Sequence, residues 1–392
     1  MDKVRIGIIG VGNMGSTHAR SILANNIPGL ELTALCDLNS DKLAAFPQVK
    51  HFSSSAELIR SGLVDAILVA TPHYDHTTIG IDGLNEGLHV LVEKPLSVHK
   101  ADCERMLTAY ESRPKKSQVF GAMFNQRTDP HYQKVREMIQ SGELGQIRRI
   151  TWNITDWFRP YAYYASGGWR ATWAGEGGGV LLNQCPHNLD LWWWMFGKPK
   201  TLKAWCKFGF YHDTIEVEDD VTAYMEYADG AKGVFMAATG EAPGSNRLEI
   251  SAERGKLIVD FGVGAGIKFI RNEVPTTEFS KTTKGHFSRP DTWNIDIPIR
   301  SNGEQHNGIL KNFTNAILKG ETLMAPAIEG IHSVELANAM LYSTFVDTTV
   351  NFPLDSAAYA VELKKKIAGS KLNKKVETGP AADFSSSFGA KA

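Results

Sequence analysis

Two side chains that can move protons occur in distinctive surroundings: Lys94 follows a short apolar segment, and His187 follows the glycines at 177–179. The ordinary pKa of histidine lies near neutral pH, so a neutral His187 can accept a proton from an alcohol. Lys94 can stabilise the developing alkoxide or, with a lowered pKa, accept the proton itself. Asn183 does not titrate, but its amide can orient a hydroxyl group. These three residues are the predicted catalytic group, with either Lys94 or His187 as the base.

A nucleotide-binding loop is predicted near the start of the chain. The apolar segment 4–9 is typical of a buried parallel strand, and it is followed by Gly-Val-Gly-Asn-Met-Gly and a segment with helical spacing. In such a loop the first glycine permits a tight turn, the second admits a pyrophosphate and the third lets the helix pack closely on the strand. The residues predicted to contact a dinucleotide here are Gly10, Gly12, Asn13, Met14 and Gly15.

Asp37 ends the second predicted strand, about twenty residues beyond the glycine loop, where an acid binds the ribose hydroxyls of NAD. A carboxylate there repels the 2′-phosphate of NADP, and no arginine follows it, so NAD is predicted in preference to NADP. Lys42 could weaken this preference. The alternative is that Asp37 only caps the helix that begins near Ser40.

The alternation of strands and helices continues through predicted strands at 64–70 and 89–92. In a doubly wound sheet, ligands bind at the carboxyl ends of the parallel strands. The side chains that follow these two strands, with one from the next helix, are therefore expected on the same rim as the glycine loop. The residues predicted to bind the cofactor there are Thr71, Pro72, His76, Glu93 and Lys94.

The pattern changes after residue 124. Alternating apolar and polar residues, as at 147–156 and 221–227, predict antiparallel strands. We therefore predict an α/β Rossmann domain at 1–123 and an α+β domain with an open, mainly antiparallel sheet at 124–369, which binds substrate and forms oligomers. Residues 370–392, rich in Ser, Gly, Ala and Lys, are predicted to be a disordered tail.

The segment 157–173 is rich in Tyr, Trp and Arg, which favours a substrate loop, because aromatic faces stack on the C–H surfaces of sugars. The alternative is ordinary loop packing. The residues predicted to bind substrate are Tyr163, Trp169 and Arg170 from this segment, Arg127, and the catalytic group Lys94, Asn183 and His187.

The composition argues against several classes of protein. The 392 residues carry a formal net charge of −1, so the basic surface of a nucleic-acid-binding protein is not expected. No apolar segment is long enough to span a bilayer and no signal segment is evident, so we expect a cytoplasmic protein without a membrane partner. Four cysteines without a C-x-x-C pair predict neither a disulfide framework nor a metal site.

Several motifs follow one another in a fixed order between residues 3 and 367. They are Gly10-x-Gly12-x-x-Gly15, Thr71-Pro72, Gly87-x-His89-Val90 leading to Glu93-Lys94-Pro95, and Gly177-Gly178-Gly179 followed by His187 and Asp190. In this combination the chain resembles the Gfo/Idh/MocA oxidoreductases, named after glucose–fructose oxidoreductase and inositol dehydrogenase. The Glu-Lys-Pro motif in a Rossmann domain is much more specific than the glycine loop alone.

The resemblance implies a nicotinamide-dependent enzyme that acts on a sugar or polyol, with Lys94 and His187 at the reacting carbon. Many family members place an aspartate four residues before the histidine, where this chain has Asn183. This difference puts in question any tuning of the histidine by an acid at that position.

The predicted function is NAD-dependent oxidation of a secondary hydroxyl of a sugar, glycoside or inositol, for example at C3 of a glucoside. One alternative is an enzyme that cleaves glycosides with transient help from bound NAD, and another is a non-catalytic NAD-binding regulator. We expect a homodimer or homotetramer, because an open sheet face is commonly covered by another subunit.

Overall fold

Six parallel strands form the first sheet of the protein. The structure is a computed structural model that describes residues 2–261, 265–301 and 303–371. The elements of this first part are β1 (Val4–Ile9), α1 (Asn13–Leu23), β2 (Leu30–Cys36), α2 (Ser40–Leu43), β3 (Lys50–Phe52), α3 (Ser55–Ile59), β4 (Ala66–Val69), α4 (Asp75–Asn85), β5 (His89–Val92), α5 (Lys100–Glu111) and β6 (Phe120–Ala122). The strand order β3-β2-β1-β4-β5-β6 is that of a dinucleotide-binding Rossmann sheet.

The central strands fold as their composition predicts. All four residues of β4 are buried, and so are five of the six residues of β1. Strands that are covered on both faces are apolar throughout, because neither face meets water. The Rossmann domain predicted from the sequence is confirmed.

A second sheet follows the first along the chain. Its elements are a 3-10 helix (Asn125–Thr128), α6 (Pro130–Gln140), β7 (Ile147–Ile154), α7 (Tyr161–Ala165), α8 (Pro186–Phe196), β8 (Thr201–Phe208), β9 (Glu218–Glu226), β10 (Lys232–Ala238), β11 (Asn246–Ala252), β12 (Gly255–Asp260), β13 (Gly266–Asn272), α9 (Thr276–Thr282), β14 (Thr292–Ile297), α10 (Gln305–Lys319), α11 (Ala327–Phe345), β15 (Val350–Asn351) and α12 (Ser356–Gly369).

The nine strands of this sheet lie in the order β14-β13-β12-β11-β7-β10-β9-β8-β15. Neighbours are antiparallel except β7 and β10, which pair in parallel. Alternation of apolar residues reveals that one face is buried but not the strand direction, so this parallel pair could not be predicted. The strands β13 and β14 were not predicted; β14 has no fully buried residue, so it lacks an apolar signal.

The hydrophobic core of the Rossmann domain is completed by residues far along the chain. Ile309, Leu310 and Phe313 of α10 and Val334 of α11 belong to it. A second core fills the space between the nine-stranded sheet and the helices α8 and α11. The domain boundary predicted at 123/124 separates the two sheets, but the chain returns to the first core after the second sheet.

The predicted disordered tail at 370–392 lies outside the described residues from position 372 onward. Ser370 and Lys371 are described, and both bind the carboxylate of Glu216, with donor–acceptor distances of 2.5 and 2.8 Å. Among the described residues, no helix combines the length and the apolar character needed to cross a bilayer.

Candidate active site

The carboxyl ends of the Rossmann strands meet at one edge of the sheet. The Gly10 N–H donates to the Cys36 carbonyl (2.8 Å), and the Glu93 N–H donates to the Val69 carbonyl (2.9 Å). These bonds place the loops that follow neighbouring strands side by side. The predicted cofactor residues brought to this rim are Gly10, Gly12, Asn13, Met14, Gly15, Asp37, Thr71, Pro72, Glu93 and Lys94.

The glycines of the first loop have different roles. Gly10 has φ +93°, and a Cβ on it would lie 2.6 Å from the carbonyl oxygen of Ala70. A Cβ on Gly15 would lie 1.9 Å from the carbonyl oxygen of Gly10. A Cβ on Gly12 would meet no protein atom within 4 Å. The chain itself therefore requires glycine at 10 and 15, whereas Gly12 faces open space that a ligand can enter.

Asp37 organises the end of β2. Its carboxylate accepts the backbone N–H groups of Val11 (2.8 Å) and Asn39 (2.9 Å), and Lys42 Nζ lies 3.4 Å away. The helix α2 is capped by the Asn39 side chain, which accepts from the Asp41 N–H. The alternative that Asp37 serves only as the helix cap is therefore wrong, and its carboxylate lies against the nucleotide loop.

His76 braces two of the strand-end loops. Its ring nitrogens lie 2.9 Å from the carbonyl oxygens of Pro95 and Thr71. Burial lowers the pKa of His76, and a neutral imidazole donates to only one of these oxygens. The ring thus holds the loop that contains Thr71 and Pro72 against the Glu-Lys-Pro turn. Thr71 Oγ1 is buried and has no hydrogen-bond partner among the described residues.

Glu93 is a buried anion beside Lys94. Its carboxylate accepts from His18 Nε2 (2.7 Å) and from the Lys94 backbone N–H (3.1 Å). Burial opposes ionisation, but the hydrogen bond and charge of His18 outweigh it and lower the pKa of Glu93 to about 2. The ring of His306, at the start of α10, lies 5.5 Å from that of His18. A fixed negative charge therefore flanks Lys94.

Lys94 crosses from the first domain to the second. Its Nζ donates to the backbone carbonyl of Asn183 at 2.9 Å. Burial lowers the pKa of Lys94, while the carboxylates of Glu93 and Glu176 raise it. The structure thus brings together the two regions that the sequence assigned to catalysis.

His187 lies in the first turn of α8, which begins at Pro186, since proline is favoured at the first position of a helix. Its side chain is buried, and neither ring nitrogen has a hydrogen-bond partner among the described residues. The ring meets Phe124 edge-on at 6.2 Å. Burial and then the charge of Lys94 hold the pKa of His187 well below its usual value. The imidazole is neutral and has two unused polar atoms.

Asn183 precedes α8, and its side chain is engaged by the protein. The amide nitrogen donates to Glu176 Oε1, and the amide oxygen accepts from Tyr163 Oη (3.1 Å). The other oxygen of Glu176 accepts the Ala171 N–H at 2.6 Å. The amide of Asn183 is therefore occupied within the chain, which leaves its predicted contact with a substrate hydroxyl without structural support. Sequence reasoning missed Glu176, because no local pattern links it to Asn183.

The aromatic segment packs beside this group. Arg170 Nη1 donates to Tyr163 Oη (2.9 Å), and its guanidinium lies 4.7 Å from the ring centroids of Tyr163 and Trp169. Trp169 in turn meets His73 edge-on at 5.7 Å. Three of the predicted substrate residues are thus brought to Asn183 and to the rim of the first domain.

Arg127 has structural partners. Its guanidinium binds Asp190 through two hydrogen bonds of 2.8 and 2.7 Å, and its remaining nitrogen binds Glu329 and the carbonyl of Met324. These contacts occupy all three nitrogens and join the 3-10 helix to α8 and α11. The predicted binding of substrate by Arg127 is without structural support.

The three glycines before Asn183 are required by the protein interior. A Cβ on Gly177 would lie 2.2 Å from Val98, and one on Gly179 would lie 2.0 Å from the carbonyl oxygen of Glu218. The Glu218 carboxylate accepts the N–H groups of Gly179 (2.8 Å) and Leu181 (3.0 Å). Gly177 and Gly179 therefore let the turn that carries Asn183 lie directly on β9.

Several features of this rim suit the binding of a dinucleotide. Gly12 faces open space, Thr71 Oγ1 is an unsatisfied buried group, and the Asp37 carboxylate stands at the end of β2. Within residues 2–261, 265–301 and 303–371, no group of three or more His, Cys, Asp or Glu side chains is arranged to hold a metal ion.

Comparison with known protein families identifies the family of this chain. Residues 4–120 match the oxidoreductase family with an NAD-binding Rossmann fold, and residues 132–258 match the GFO/IDH/MocA C-terminal domain. The chain belongs to the GFO/IDH/MocA family. The family resemblance, the Rossmann domain and NAD as the cofactor are confirmed.

The relatives that this chain matches include inositol dehydrogenases. The inositol 2-dehydrogenase of Salmonella paratyphi B is 33% identical over 150 residues, which cover 36% of this chain and 43% of that protein. The myo-inositol 2-dehydrogenase of Thermotoga maritima is 25% identical over 271 residues, 66% of this chain and 75% of that protein.

Solved structures share the two-domain fold. The WlbA dehydrogenase of Bordetella pertussis, in complex with NADH and UDP-GlcNAcA, superposes with a TM-score of 0.74 at 26% identity, over 90% of this chain and 100% of that chain. A levoglucosan dehydrogenase in complex with NADH and levoglucosan gives a TM-score of 0.73 at 19% identity, over 90% of this chain and 100% of that chain, which is a likeness of fold alone.

Proposed function

We propose that this protein is an NAD-dependent dehydrogenase that oxidises a secondary hydroxyl of a sugar, a glycoside or an inositol by hydride transfer. A ring hydroxyl, for example at C3 of a glucoside, is the most specific form of the proposal. The observation that carries it is the approach of Lys94 to the turn before α8: its Nζ donates to the Asn183 carbonyl, and its charge acts on the buried imidazole of His187, beside the edge of the sheet that suits a dinucleotide.

Bound NAD supplies the hydride acceptor. The chain supplies the groups that hold the hydroxyl and move its proton. A hydroxyl placed beside Lys94 and His187 can donate its proton to one of them and receive a hydrogen bond from the other. Because the charge of Lys94 lowers the pKa of His187, the pair carries one positive charge more readily than two.

The choice of a carbohydrate or polyol rests on the second domain and on the relatives. Tyr163, Trp169 and Arg170 combine aromatic faces with hydrogen-bonding groups near Asn183, a composition that suits the alternating C–H and O–H surfaces of sugar rings. Inositol dehydrogenases are among the relatives, and WlbA was crystallised with a nucleotide sugar.

The proposal is tested by following NADH absorbance with NAD and a panel of inositols, free sugars and glycosides. Formation of NADH with at least one polyol or sugar supports it. Release of free sugar from a glycoside without net NADH would identify the glycoside-cleaving alternative instead. Binding of NAD without turnover of any compound would favour a non-catalytic regulator.

Replacement of Lys94 tests the site directly. In Lys94→Met the side chain keeps its length but loses its charge and its proton acceptor, so kcat should fall by about 10²–10⁴. The Kd for NAD, measured by titration of intrinsic fluorescence, should stay within about threefold of the wild-type value, because the glycine loop is unchanged. A Lys94→Met protein with full activity would refute the assignment of the site.

A further inference from the structure

Asn183 lies between a lysine and a carboxylate. Its backbone carbonyl accepts from Lys94 Nζ at 2.9 Å, and its side-chain nitrogen donates to Glu176 Oε1. A carboxylate only accepts hydrogen bonds, so the amide nitrogen of Asn183 must face Glu176. The amide oxygen then accepts from Tyr163 Oη (3.1 Å) and Gln184 Nε2 (3.2 Å). The geometry around residue 183 is therefore set by Glu176.

Glu176 is itself held rigidly in the interior. Its side chain belongs to a residue that is 2% exposed, and its second oxygen accepts the Ala171 N–H at 2.6 Å. Burial raises the pKa of Glu176, and the positive charges of Arg170 and Lys94 oppose this rise. A buried charge acts strongly on its neighbours, because little water screens it.

The buried carboxylates stabilise a positive charge on Lys94 more than a positive charge on His187. Neither ring nitrogen of His187 has a hydrogen-bond partner in the described part of the chain. Lys94, in contrast, has two carboxylates, Glu93 and Glu176, that favour its ammonium form. The two carboxylates thus offset part of the cost that burial imposes on the Lys94 ammonium group.

We infer that Glu176 supplies the carboxylate that position 183 lacks: it fixes the residue whose carbonyl holds Lys94, and its charge stabilises the ammonium group formed when Lys94 takes the substrate's hydroxyl proton. This inference rests on the proposed dehydrogenase function. In the step, the O–H bond of the substrate breaks and its proton adds to the lone pair of Lys94 Nζ, while the hydride from the same carbon passes to NAD. His187 stays neutral and hydrogen-bonds the hydroxyl. Glu176 is a positioning residue.

Other charged groups act on the same two side chains, so the test must isolate Glu176. The charged residues that act on Lys94 or Glu176 are Glu93, Arg159 and Arg170, and the titratable residues on which Lys94 or Glu176 acts are His73, His187, Cys185, Glu218 and His306. Substitutions that leave all of these in place report on Glu176 itself.

The decisive variants are Glu176→Gln and the double variant Glu176→Gln with Asn183→Asp. The single variant removes the negative charge from position 176. The double variant places that charge at position 183, on the other side of the same hydrogen bond. In the double variant the amide introduced at position 176 can still accept the Ala171 N–H. It can also donate to the carboxylate introduced at position 183, whose remaining lone pairs accept from Tyr163 and Gln184. The control is Glu218→Gln, which replaces another buried acidic side chain, the one that accepts the N–H groups of Gly179 and Leu181 below the same turn.

The pH dependence of kcat/KM should separate these variants. Activity rises with pH as Lys94 loses its proton, and a nearby carboxylate raises the pKa of that step. In Glu176→Gln this limb should move to lower pH by about one unit, with a plateau lowered by about tenfold or more. The double variant should move the limb back, and Glu218→Gln should leave it in place.

The pKa of Lys94 should also be measured directly, by NMR of lysine labelled with ¹³C at Cε, with Lys94→Met used to assign the resonance. This measurement needs no turnover, so it tests Glu176 even if no substrate is found. A lowered pKa in Glu176→Gln that the double variant restores supports the inference. An unchanged pKa in folded Glu176→Gln, or no restoration in the double variant, would overturn it while leaving the dehydrogenase proposal intact.

Discussion

At the scale of single residues, the site depends on buried groups whose protonation the protein controls. Lys94 and His187 could be found from the sequence, because each stands in a recognisable motif. Glu176 could not, since its contact with Asn183 depends on the path of the loop between Ala171 and Gly177, which no local pattern fixes. The amide of Asn183 looked available for the same reason.

Glu218 should leave a signature in the pH dependence of stability. Burial raises its pKa to about 7, although the N–H groups of Leu181 and Gly179 oppose the rise. In the unfolded chain the pKa is near its ordinary value of 4.5, so the folded protein retains a proton that the unfolded chain releases. The contribution of Glu218 to the free energy of unfolding should therefore fall as pH rises from about 4.5 to about 7, by about 3 kcal/mol for a shift of this size.

This contribution is isolated by comparing urea unfolding of wild type and Glu218→Gln between pH 5 and pH 8. His306 and His332 have pKa values lowered to about 4, and their contribution to stability rises over part of the same range. Only the difference between the two proteins is therefore diagnostic. Parallel pH profiles for wild type and variant would contradict the prediction.

At the scale of secondary-structure elements, different glycines of the nucleotide loop serve the fold and the ligand. Gly12→Ala adds a methyl group that meets no protein atom, so its melting temperature should match that of the wild type. The same methyl group points into space that a dinucleotide needs, so the Kd for NAD should rise by about tenfold or more. Calorimetric titration with NAD measures this change.

Gly15→Ala is the matched comparison. Its Cβ would lie 1.9 Å from the Gly10 carbonyl oxygen, so α1 must shift away from β1, and the variant should lose about 1–3 kcal/mol of stability. Equal melting temperatures for Gly12→Ala and Gly15→Ala would contradict this division of roles, because the two glycines would then have the same effect on stability.

The elements themselves were predicted with uneven success, for physical reasons. The central Rossmann strands were clear, because continuous apolar runs are local signals, and a proline at the first helical position is a local signal for the start of α8. The strand β3, which lacks an apolar run, was not predicted. The pairing of β7 with β10 and the edge strand β14 were not, since strand direction and exposed edges leave no mark in the alternation of apolar residues.

At the scale of the whole molecule, the nine-stranded sheet has one face packed on α8 and α11. Phe235 points into that core, whereas Val234 and Met236 on the same strand point to the opposite face and are half-buried. We expect this open face to join subunits in a homodimer or homotetramer.

Sedimentation velocity tests this expectation. The wild type should sediment as a dimer or tetramer, and Met236→Glu should shift it towards the monomer, because a charge replaces a half-buried apolar side chain on the face expected to join subunits. Lys232→Glu, at the exposed start of the same strand, should leave the oligomer unchanged. A monomeric wild type would contradict the prediction.

The return of α10 and α11 to the Rossmann core has a consequence for how the protein is made. A ribosome releases the six strands of the first sheet long before it reaches Ile309 or Phe313, which complete the core of that sheet. Until then the nascent domain exposes apolar surface and is a client for chaperones. The half of the molecule that is synthesised first thus cannot complete its core until α10 and α11 have been made, and a fragment ending at residue 123 should aggregate where the whole chain does not.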